Sequence, residues 1–363
     1  MWPYIVLILL ALLCASTDIS PVKNRIVITL PFILLMFAMA AFRDNMGGFD
    51  YEMYSYYYEH VVGVRDYFRG LYEPFFRSKS FEEGFIILSS VIRSLDFTQG
   101  PCFFFFMIAL VSFSIFLSSL KEYTPFVYIA ILFYLYKAYF WHDYTLTRQS
   151  IAIALFTFSI RYIYRKEYLK YIAFNLVAFS MHHSAIILFP LCFFMNYKFS
   201  IKSILIMILV AIIFGMTGSF AQGLCVKLAE MFNLGNRFTS YLVCTGTINP
   251  LNFLEIFVIL FFALFYRNFY ESKEPYFNIF LNLFLFSSLI LIAFSSFELF
   301  SRFKEYFVVA YMILISYMVG HIQVNKIRWI VFGFLSLYVM VGYFRYIIIF
   351  GFGDLLPYRW VLW

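Results

Sequence analysis

The sequence predicts an all-α, polytopic transmembrane protein, and two observations carry this prediction. Hydrophobic residues make up 63% of the 363 residues and charged residues only 13%, about half of the ~25% that is usual in a soluble domain. Apolar runs of about 20 residues, long enough to cross roughly 30 Å of hydrocarbon, recur from the first residues to the last. A transmembrane barrel would show alternating segments of about ten residues instead, so we expect the spans to be helices.

The apolar runs can be assigned to about twelve helical spans, and we predict that residues 1–363 form one integral membrane domain. The first run, MWPYIVLILLALL, has no basic region ahead of it and is therefore interpreted as a retained helix. The predicted spans are 2–15, 26–42, 101–120, 125–140, 147–164, 168–182, 184–196, 201–220, 251–268, 277–298, 303–321 and 329–350.

Residues 168–196 allow two interpretations. Two short helices that meet at His182 and His183 would keep Lys198 and Lys202 in a short loop on the same side as the other basic loops. One tilted helix would instead invert the orientation of everything that follows. The density of positive charge favours the hairpin.

Lys and Arg concentrate in the short loops on one side of the predicted bundle, for example at Lys23 and Arg25. Positive charge in short loops marks the cytoplasmic side, so we expect both termini and the two long loops, 43–100 and 221–250, to face outward. The net charge of +7 is spread over these loops and does not form a stripe on one face. The sequence therefore predicts no nucleic-acid partner.

Each long outer loop contains an amphipathic segment that is too short to cross a membrane. In residues 43–100, the sequence SFEEGFIILSSVIRSL predicts an interfacial or re-entrant helix. In residues 221–250, a second short interfacial helix is predicted, which serves either as a lid or as a connector. The same loop holds Cys225 and Cys244, which either pair or remain two free thiols.

The first outer loop begins with RDNMGGFDYEMYSYYY, residues 43–58, which combine groups suited to a phosphorylated sugar. Arg43 offers a planar fork of donors, and Gly47 and Gly48 allow a turn that brings the backbone close to a ligand. Asp50 follows the turn, where a neighbouring arginine would hold its carboxylate ionised. The stretch predicts half of an active site; the alternative is an ordinary interfacial loop whose tyrosines form an aromatic belt.

Charged residues near the outer helix ends are candidates for function, because a charge at the bilayer centre costs about 2.5–3.5 kcal/mol on insertion scales. Their excess is basic, which would suit a pyrophosphate headgroup in a site of low dielectric constant. The alternative is that the long side chains reach the interface singly. The set comprises Arg43, Lys137, His142, Asp143, Arg148, His182, His183, Glu298, Arg302, Lys304, Glu305 and Arg345.

The order of several short motifs resembles the EpsG family of O-antigen and exopolysaccharide polymerases, usually called Wzy. Arg43 followed by GGFDYEMY is similar to the family's early outer-loop pattern of an arginine and then G-x-D-Y-x-x-Y. The later segments agree in order: EEGF from Glu82, TRQSIAIAL from Thr147, HHSAIIL from His182, SRFKEYF from Ser301 and LPY from Leu356. The resemblance extends over nearly the whole chain.

This resemblance implies a metal-independent glycosyltransferase, similar to the GT-C enzymes, that needs no cofactor. Its substrate would be an undecaprenyl-pyrophosphate-linked oligosaccharide, and its active site would face the periplasm from the bacterial inner membrane. Membrane lipid and a chain-length regulator protein are the implied partners. The growing glycan would move from its lipid carrier to a sugar hydroxyl on an incoming unit.

Glycosyl transfer requires that the charge of the leaving pyrophosphate be offset, and it can use a base for the acceptor hydroxyl. The resemblance and this chemistry together assign the roles. Catalysis is assigned to Asp50, with His182 as the alternative base, and to Arg148; pyrophosphate binding to Arg43, Arg148, Arg302, Arg345 and Lys137; and sugar binding to Tyr51, Tyr54, Tyr58 and Glu83.

Three other functions are compatible with the composition. A lipid-linked oligosaccharide flippase would show an internal repeat and charges along a central cavity, whereas here the charges are one-sided. An O-antigen ligase shares the chemistry, and only the ordered motifs favour the polymerase. A membrane acyltransferase would need a histidine buried among helices, which His182 and His183 keep open.

Overall fold

The computed structural model describes residues 1–71, 81–98, 100–217, 223, 226, 227, 231, 250–294, 298–350 and 354–361. Over these residues the regular structure is helical, and one isolated antiparallel bridge joins Arg43 to Trp360. The predicted all-α class is confirmed. The predicted interfacial helix of residues 221–250 and the cysteines at 225 and 244 lie outside the described residues.

The helices are named here in chain order. They are α1 (Trp2–Ile19), α2 (Ile26–Ala41), α3 (Phe49–Glu59), α4 (Val64–Phe68), α5 (Glu83–Leu95), α6 (Pro101–Tyr123), α7 (Val127–Lys137), a π-helix (Trp141–Thr145), α8 (Thr147–Tyr164), α9 (Tyr168–Met181), a 3-10 helix (His183–Leu188), α10 (Leu191–Phe194), α11 (Ile201–Met216), α12 (Pro250–Phe265), α13 (Arg267–Lys273), α14 (Phe277–Phe294), α15 (Glu298–Glu305), α16 (Val308–Gly320) and α17 (Asn325–Ile349).

Four helices among the described residues, α1, α6, α14 and α17, are long and apolar enough to cross a membrane. The bent pair formed by α12 and α13 adds a fifth candidate if it counts as one span. The chain is therefore a multi-pass membrane protein. Helical structure overlaps each of the twelve predicted segments, but several of these helices have only 10–17 residues, so the number twelve stays a prediction.

The chain reverses direction at His182. Tyr171 Oη, near the start of α9, donates a hydrogen bond to the carbonyl of Leu188 at 2.6 Å. Because ten residues of α-helix rise about 15 Å, the two residues can meet only if the chain folds back after Met181. The chain therefore folds back as the hairpin interpretation predicts, and one continuous helix over residues 168–196 is excluded. That each arm of the hairpin crosses the membrane stays a prediction.

Contacts between helix ends define one face of the helical bundle, called here the basic face. Asp18, at the end of α1, accepts hydrogen bonds from the amides of Tyr128 and Ile129 at the start of α7, at 2.7 and 2.9 Å. Glu122, at the end of α6, pairs with Arg161 near the end of α8 at 2.7 Å. The loops predicted to be cytoplasmic thus meet at this face. The start of the first outer loop, residues 43–58, is called here the motif loop, and it lies at the opposite end of the bundle, called the site face.

Buried tyrosines fix the helix ends beneath the site face. Tyr139 and Tyr358 donate to the carbonyls of Met36 and Met39, both at 2.6 Å, and each carbonyl belongs to the last turns of α2. Buried phenol groups need such partners, because an unpaired hydroxyl in an apolar core costs about 1–3 kcal/mol. The hydroxyls therefore hold α2 and the C-terminal segment in register where the first outer loop begins.

Candidate functional site

The motif loop turns at two glycines whose backbone conformation favours glycine. Gly47 has φ +111° and Gly48 has φ +73°. A Cβ on Gly47 would lie 2.4 Å from the carbonyl oxygen of Tyr144, so the loop packs directly on the π-helix. Helix α3 begins immediately after Gly48 and carries Asp50 in its first turn. The glycines thus determine where the carboxylate of Asp50 lies.

A segment near the carboxyl end of the sequence holds this turn in place. One carboxylate oxygen of Asp354 accepts hydrogen bonds from the amides of Gly47 and Gly48, both at 2.8 Å. The Asp44 amide donates to the carbonyl of Arg359 at 3.0 Å, and Arg359 also contacts Asp354 at 3.2 Å. We call residues 354–361 the clamp. Charge-assisted bonds of this kind are about twice as strong as neutral ones, so the turn is firmly fixed.

The structure buries the Arg43 side chain within the helical bundle. Its side chain is buried, with the residue only 2% exposed, and the guanidinium donates to the carbonyls of Ala40, Met46 and Tyr144. It also lies over the ring of Phe105 at 4.5 Å. This geometry favours a role in joining α2, the turn and the π-helix. The predicted contact of Arg43 with pyrophosphate stays a prediction that its position does not favour.

The motif tyrosines share one face of α3, and that face is packed against the protein. Tyr51 stacks on Phe105 at 4.6 Å between ring centroids, and Tyr58 is buried with its hydroxyl 2.9 Å from Asp96. Tyr54 is buried as well and accepts a hydrogen bond from Arg148. These contacts favour a packing role over the predicted role in sugar binding.

Arg148 is held by a buried carboxylate and a phenol. Its Nη1 donates to Glu82, and its Nε donates to the Tyr54 hydroxyl at 2.8 Å. The ring of Phe81 lies 4.7 Å from the guanidinium carbon. The Glu82 side chain is 6% exposed, whereas that of Arg148 is 20% exposed. Arg148 is therefore oriented in advance and keeps access to a ligand.

Glu82 also ties the 3-10 helix to this pair. Its second oxygen accepts a hydrogen bond from the amide of His183 at 3.1 Å, and the His183 ring lies at 4.0 Å. The approach is close because Gly84 packs on Ser180, where a Cβ would lie 2.2 Å from the serine oxygen. The neighbouring Glu83, predicted to bind sugar, is exposed and accepts from Tyr67 at 2.5 Å. Glu82 is thus the acidic residue of this motif that belongs to the site.

Asp50 lies within the fields of two arginines. Burial raises the pKa of its carboxyl above the ordinary value, and the charges of Arg302 and Arg148 act in the opposite direction. The cations that act on Asp50 are therefore Arg302 and Arg148, whereas the sequence analysis had expected Arg43. Their charges lower the pKa of Asp50 by less than burial raises it. Over the described residues, no hydrogen bond to the Asp50 carboxylate is found. Gln149 donates to the backbone carbonyl of Arg302 at 2.8 Å, which links α15 to α8 beside Arg148.

His182 stands next to the same arginines, at the end of α9. Its Nδ1 accepts from the amide of Ser184 at 3.2 Å and lies 2.7 Å from the serine hydroxyl. That hydroxyl is 2.9 Å from the phenol of buried Tyr306. Since Nδ1 accepts the amide bond, the neutral imidazole carries its proton on Nε2. His182 is thus oriented by Ser184 and Tyr306, which the sequence analysis did not single out.

Two other predicted phosphate ligands lie away from this group. Lys137 pairs with Glu255 at 2.6 Å, in a cavity that Lys304 and Glu305 also line. Arg345 is exposed on α17. The structure thus brings together Asp50, Arg148, His182 and Arg302 with Glu82, and this group is called the central cluster. In the described part of the chain, no three His, Cys, Asp or Glu residues are grouped as a metal ion would require.

The central cluster can offset a negative charge and accept a proton in one place. The charges of two guanidinium groups act on a carboxylate that lacks a hydrogen-bond partner among the described residues, and they act also on a histidine whose Nδ1 accepts the Ser184 amide. Cations placed where negative charge develops stabilise a transition state, and a partly buried carboxylate can act as a base. This combination suits displacement of an anionic leaving group by a hydroxyl.

Comparison with known proteins places the chain in a family. The model of the EpsG family matches residues 24–360, which include every motif of the site. No curated protein and no solved structure matches the chain. Because the match covers nearly the whole sequence, the predicted resemblance is confirmed, and the chain belongs to the EpsG family.

Proposed function

We propose that this protein is a membrane polysaccharide polymerase of the O-antigen or exopolysaccharide type. It transfers a growing glycan from undecaprenyl pyrophosphate to a sugar hydroxyl of an incoming lipid-linked repeat unit. Membership of the EpsG family and the multi-pass architecture support the class of protein. The single observation that carries the chemistry is that the charges of Arg148 and Arg302 both act on the partly buried carboxylate of Asp50.

The donor half of the reaction falls to the arginines. The bond between the anomeric carbon and the pyrophosphate oxygen breaks, and the negative charge on the leaving group grows. Arg148 and Arg302 would offset this charge, with Arg148 already oriented by Glu82 and Tyr54. A site whose donors are fixed beforehand needs little reorganisation as the bond breaks.

The acceptor half of the reaction falls to Asp50. The acceptor hydroxyl oxygen forms the new bond to the anomeric carbon, and its proton passes to the Asp50 carboxylate or leaves with the pyrophosphate. A carboxylate with a raised pKa is a stronger base than an ordinary one, provided that it is ionised at the working pH. His182 can donate a hydrogen bond to phosphate through Nε2, and it is the alternative proton acceptor if Nδ1 exchanges its hydrogen bond from the Ser184 amide for the acceptor proton.

The proposed setting follows from the family and from the charge of the loops. The protein would lie in the bacterial inner membrane with the site face toward the periplasm, where lipid-linked units are joined. Membrane lipid and a chain-length regulator protein are its proposed partners. The basic face would then meet the cytoplasm, in agreement with the concentration of Lys and Arg there.

The test is the glycan made by a deletion strain that carries plasmid-borne variants. Arg148→Ala and Arg302→Ala should leave single repeat units in place of long chains, because the leaving-group charge is no longer offset. Arg69→Ala is the matched control, since this arginine lies in the first outer loop with its side chain 53% exposed. Immunoblots of the membrane fraction establish that each variant is present.

Three patterns would contradict the proposal. Long chains of normal length from both arginine variants would remove the central cluster from the reaction. Full-length glycan that stays on the lipid carrier in the deletion strain would indicate a ligase. Repeat units that fail to reach the outer face would indicate a flippase.

A further inference from the structure

A second cavity system, separate from the central cluster, runs along the bundle between α12, α13, α16 and α17. Its larger part is a groove of about 790 Å³, which lies within the usual range of roughly 300–1,000 Å³ for ligand pockets. The walls are mainly aliphatic and aromatic, as illustrated by Leu254, Val258, Phe262, Ile315 and Leu335. The groove is therefore built for an apolar ligand.

One end of this groove opens into a polar chamber. The chamber, of about 130 Å³, shares Glu255 and Tyr311 with the groove and is also lined by Lys137 and Lys304. At the junction, Glu255 accepts hydrogen bonds from the phenols of Tyr311 and Tyr338 and pairs with Lys137 at 2.6 Å. We call this chamber the lysine chamber.

The groove extends over much of the depth of the bundle. Glu255 on α12 and Tyr266, the residue that follows α12, both line the groove and are eleven residues apart, a rise of about 16 Å. It continues to His321, which pairs with Glu274 toward the basic face at 2.6 Å. A ligand that filled the groove and the lysine chamber would therefore be a long apolar chain with a polar group at one end.

Charge in the lysine chamber indicates an anionic polar group. Lys304 is 35% exposed at its side chain, and its contact with Glu305 is at 4.0 Å, the outer limit of an ion pair. Glu305 is itself engaged by His142 at 2.9 Å. Lys137 can be shared between Glu255 and a ligand, since its side chain is 22% exposed. The two ammonium groups share this small space with the carboxylates of Glu255 and Glu305, which have phenol and imidazole partners of their own, so both lysines can also bind a phosphate.

Helix α15 connects the lysine chamber to the central cluster. This eight-residue helix carries Arg302, which acts on Asp50, and also Lys304 and Glu305, which line the chamber. A phosphate bound by Lys304 would thus lie on the other flank of the helix that bears a proposed catalytic arginine. Continuity with that site distinguishes the groove from ordinary lipid-facing surface.

We propose that the groove binds the polyprenyl chain of the lipid-linked substrate and that Lys304 and Lys137 bind the phosphate next to that chain, while Arg148 and Arg302 act on the phosphate next to the sugar. This inference rests on the proposed function, which requires a carrier with one long apolar chain on an anionic head. The groove that shares Glu255 and Tyr311 with the lysine chamber has room for one apolar chain on one head group. The membrane interior is itself apolar, so moving the polyprenyl chain from lipid into the groove gains no hydrophobic free energy. Selectivity for this lipid over others therefore comes from the shape of the groove and the charge of the head group.

Binding is measured by native mass spectrometry on the purified full chain in detergent, with undecaprenyl phosphate and phosphatidylglycerol as separate probes. We expect undecaprenyl phosphate to bind more tightly than phosphatidylglycerol. Lys304→Ala should weaken binding of undecaprenyl phosphate about tenfold, the usual scale for one charge-assisted contact. Val258→Trp should do the same by filling the groove.

The matched control is Val210→Trp on α11, where the valine is 59% exposed and does not line the groove. This variant should bind undecaprenyl phosphate with the affinity of the unaltered protein. Lipid affinities are compared only among variants whose unfolding midpoint equals that of the unaltered protein. Equal binding by Val258→Trp and Val210→Trp would overturn the groove, as would equal affinity for the two lipids.

The groove and the proposed function can fail separately. Normal lipid binding by Val258→Trp together with loss of long glycan in Arg148→Ala would refute the groove and leave the polymerase intact. Weakened lipid binding by Val258→Trp together with normal glycan from Arg148→Ala would support the groove as a polyprenyl phosphate site and refute the proposed catalytic role of the central cluster.

Discussion

Variants of the ion pair between Glu82 and Arg148 can distinguish a structural role of Arg148 from a catalytic one, because stability and activity should respond differently. Glu82→Leu removes the carboxylate that holds the Arg148 guanidinium and accepts the His183 amide. Breaking a buried ion pair from one side costs about 3–5 kcal/mol, because the remaining charge stays buried without its partner. At roughly 2 °C per kcal/mol for a chain of this size, the unfolding midpoint should fall by about 6–10 °C.

Replacing both partners should restore much of that loss. In Glu82→Leu with Arg148→Met, no buried charge is left unpaired, and such replacements are often neutral for stability. The Arg148 side chain is 20% exposed and that of Glu82 is 6% exposed, so most of the pair is desolvated and the full range applies. The double variant should therefore unfold within about 2–3 °C of the unaltered protein.

Activity should behave differently, and this contrast is the test. The double variant lacks the proposed phosphate ligand, so it should make no long glycan although it is folded and present in the membrane. The assays are size-exclusion thermostability in detergent and polymerisation of purified lipid-linked repeat units. Long glycan from the stable double variant would refute the catalytic role of Arg148, and a loss of less than about 1 kcal/mol in Glu82→Leu would refute the buried pair.

Four further predictions concern the first outer loop and the orientation of the chain. Asp50→Asn should lower turnover roughly 100-fold to 10,000-fold if the carboxylate is the base, whereas the exposed Asp66→Asn should have little effect. Because burial raises the pKa of Asp50, turnover should fall on acidification at a pH above the ordinary ~3.9, and Asp50→Asn should lose this step; an unchanged step would refute the assignment. Gly47→Ala should destabilise the loop by about 1–3 kcal/mol, since φ is +111° and the Cβ meets a carbonyl, and normal long glycan at elevated temperature would contradict this. In a background that lacks the five native cysteines, impermeant thiol reagents on intact cells should label Arg69→Cys and spare Ser200→Cys, and the reverse pattern would invert the proposed orientation.

The sequence indicated which residues lie at the same end of the bundle, but it did not indicate which atoms each of them contacts. Asp50, Arg148, His182 and Arg302 were placed at one end of the bundle because they flank apolar runs that alternate in direction. The reversal at His182 was predicted by the basic residues on either side of it. Both inferences depend on a one-dimensional pattern, which the order of charged and apolar residues contains.

The contacts themselves depend on packing that the sequence pattern does not contain. Glu82 and Glu83 are adjacent, and only the close approach of Gly84 to Ser180 turns Glu82 toward Arg148. Side chains at consecutive positions point in different directions, so a shift of one residue changes the partner completely. The same limit applies to Lys137, whose partner Glu255 lies 118 residues away.

The sequence reasoning also assigned the motif arginine to a ligand, whereas its contacts in the structure are with backbone carbonyls. Arg43 stands at the end of an apolar helix, where a functional charge and a structural one have the same pattern in sequence. Its three carbonyl partners come from its own turn and from the π-helix about a hundred residues later. A count of backbone carbonyls left open at the end of α2 would have been the only local indication of that role.

The clamp also sets the order in which the protein matures during synthesis. Gly47 is translated 307 residues before Asp354, which is about 15–60 s at usual elongation rates. During that interval the two glycine amides lack their carboxylate, and the turn that positions Asp50 is unfinished. A nascent chain can therefore have most of its helices inserted in the membrane and still be unable to react with lipid-linked sugar until translation has passed Asp354.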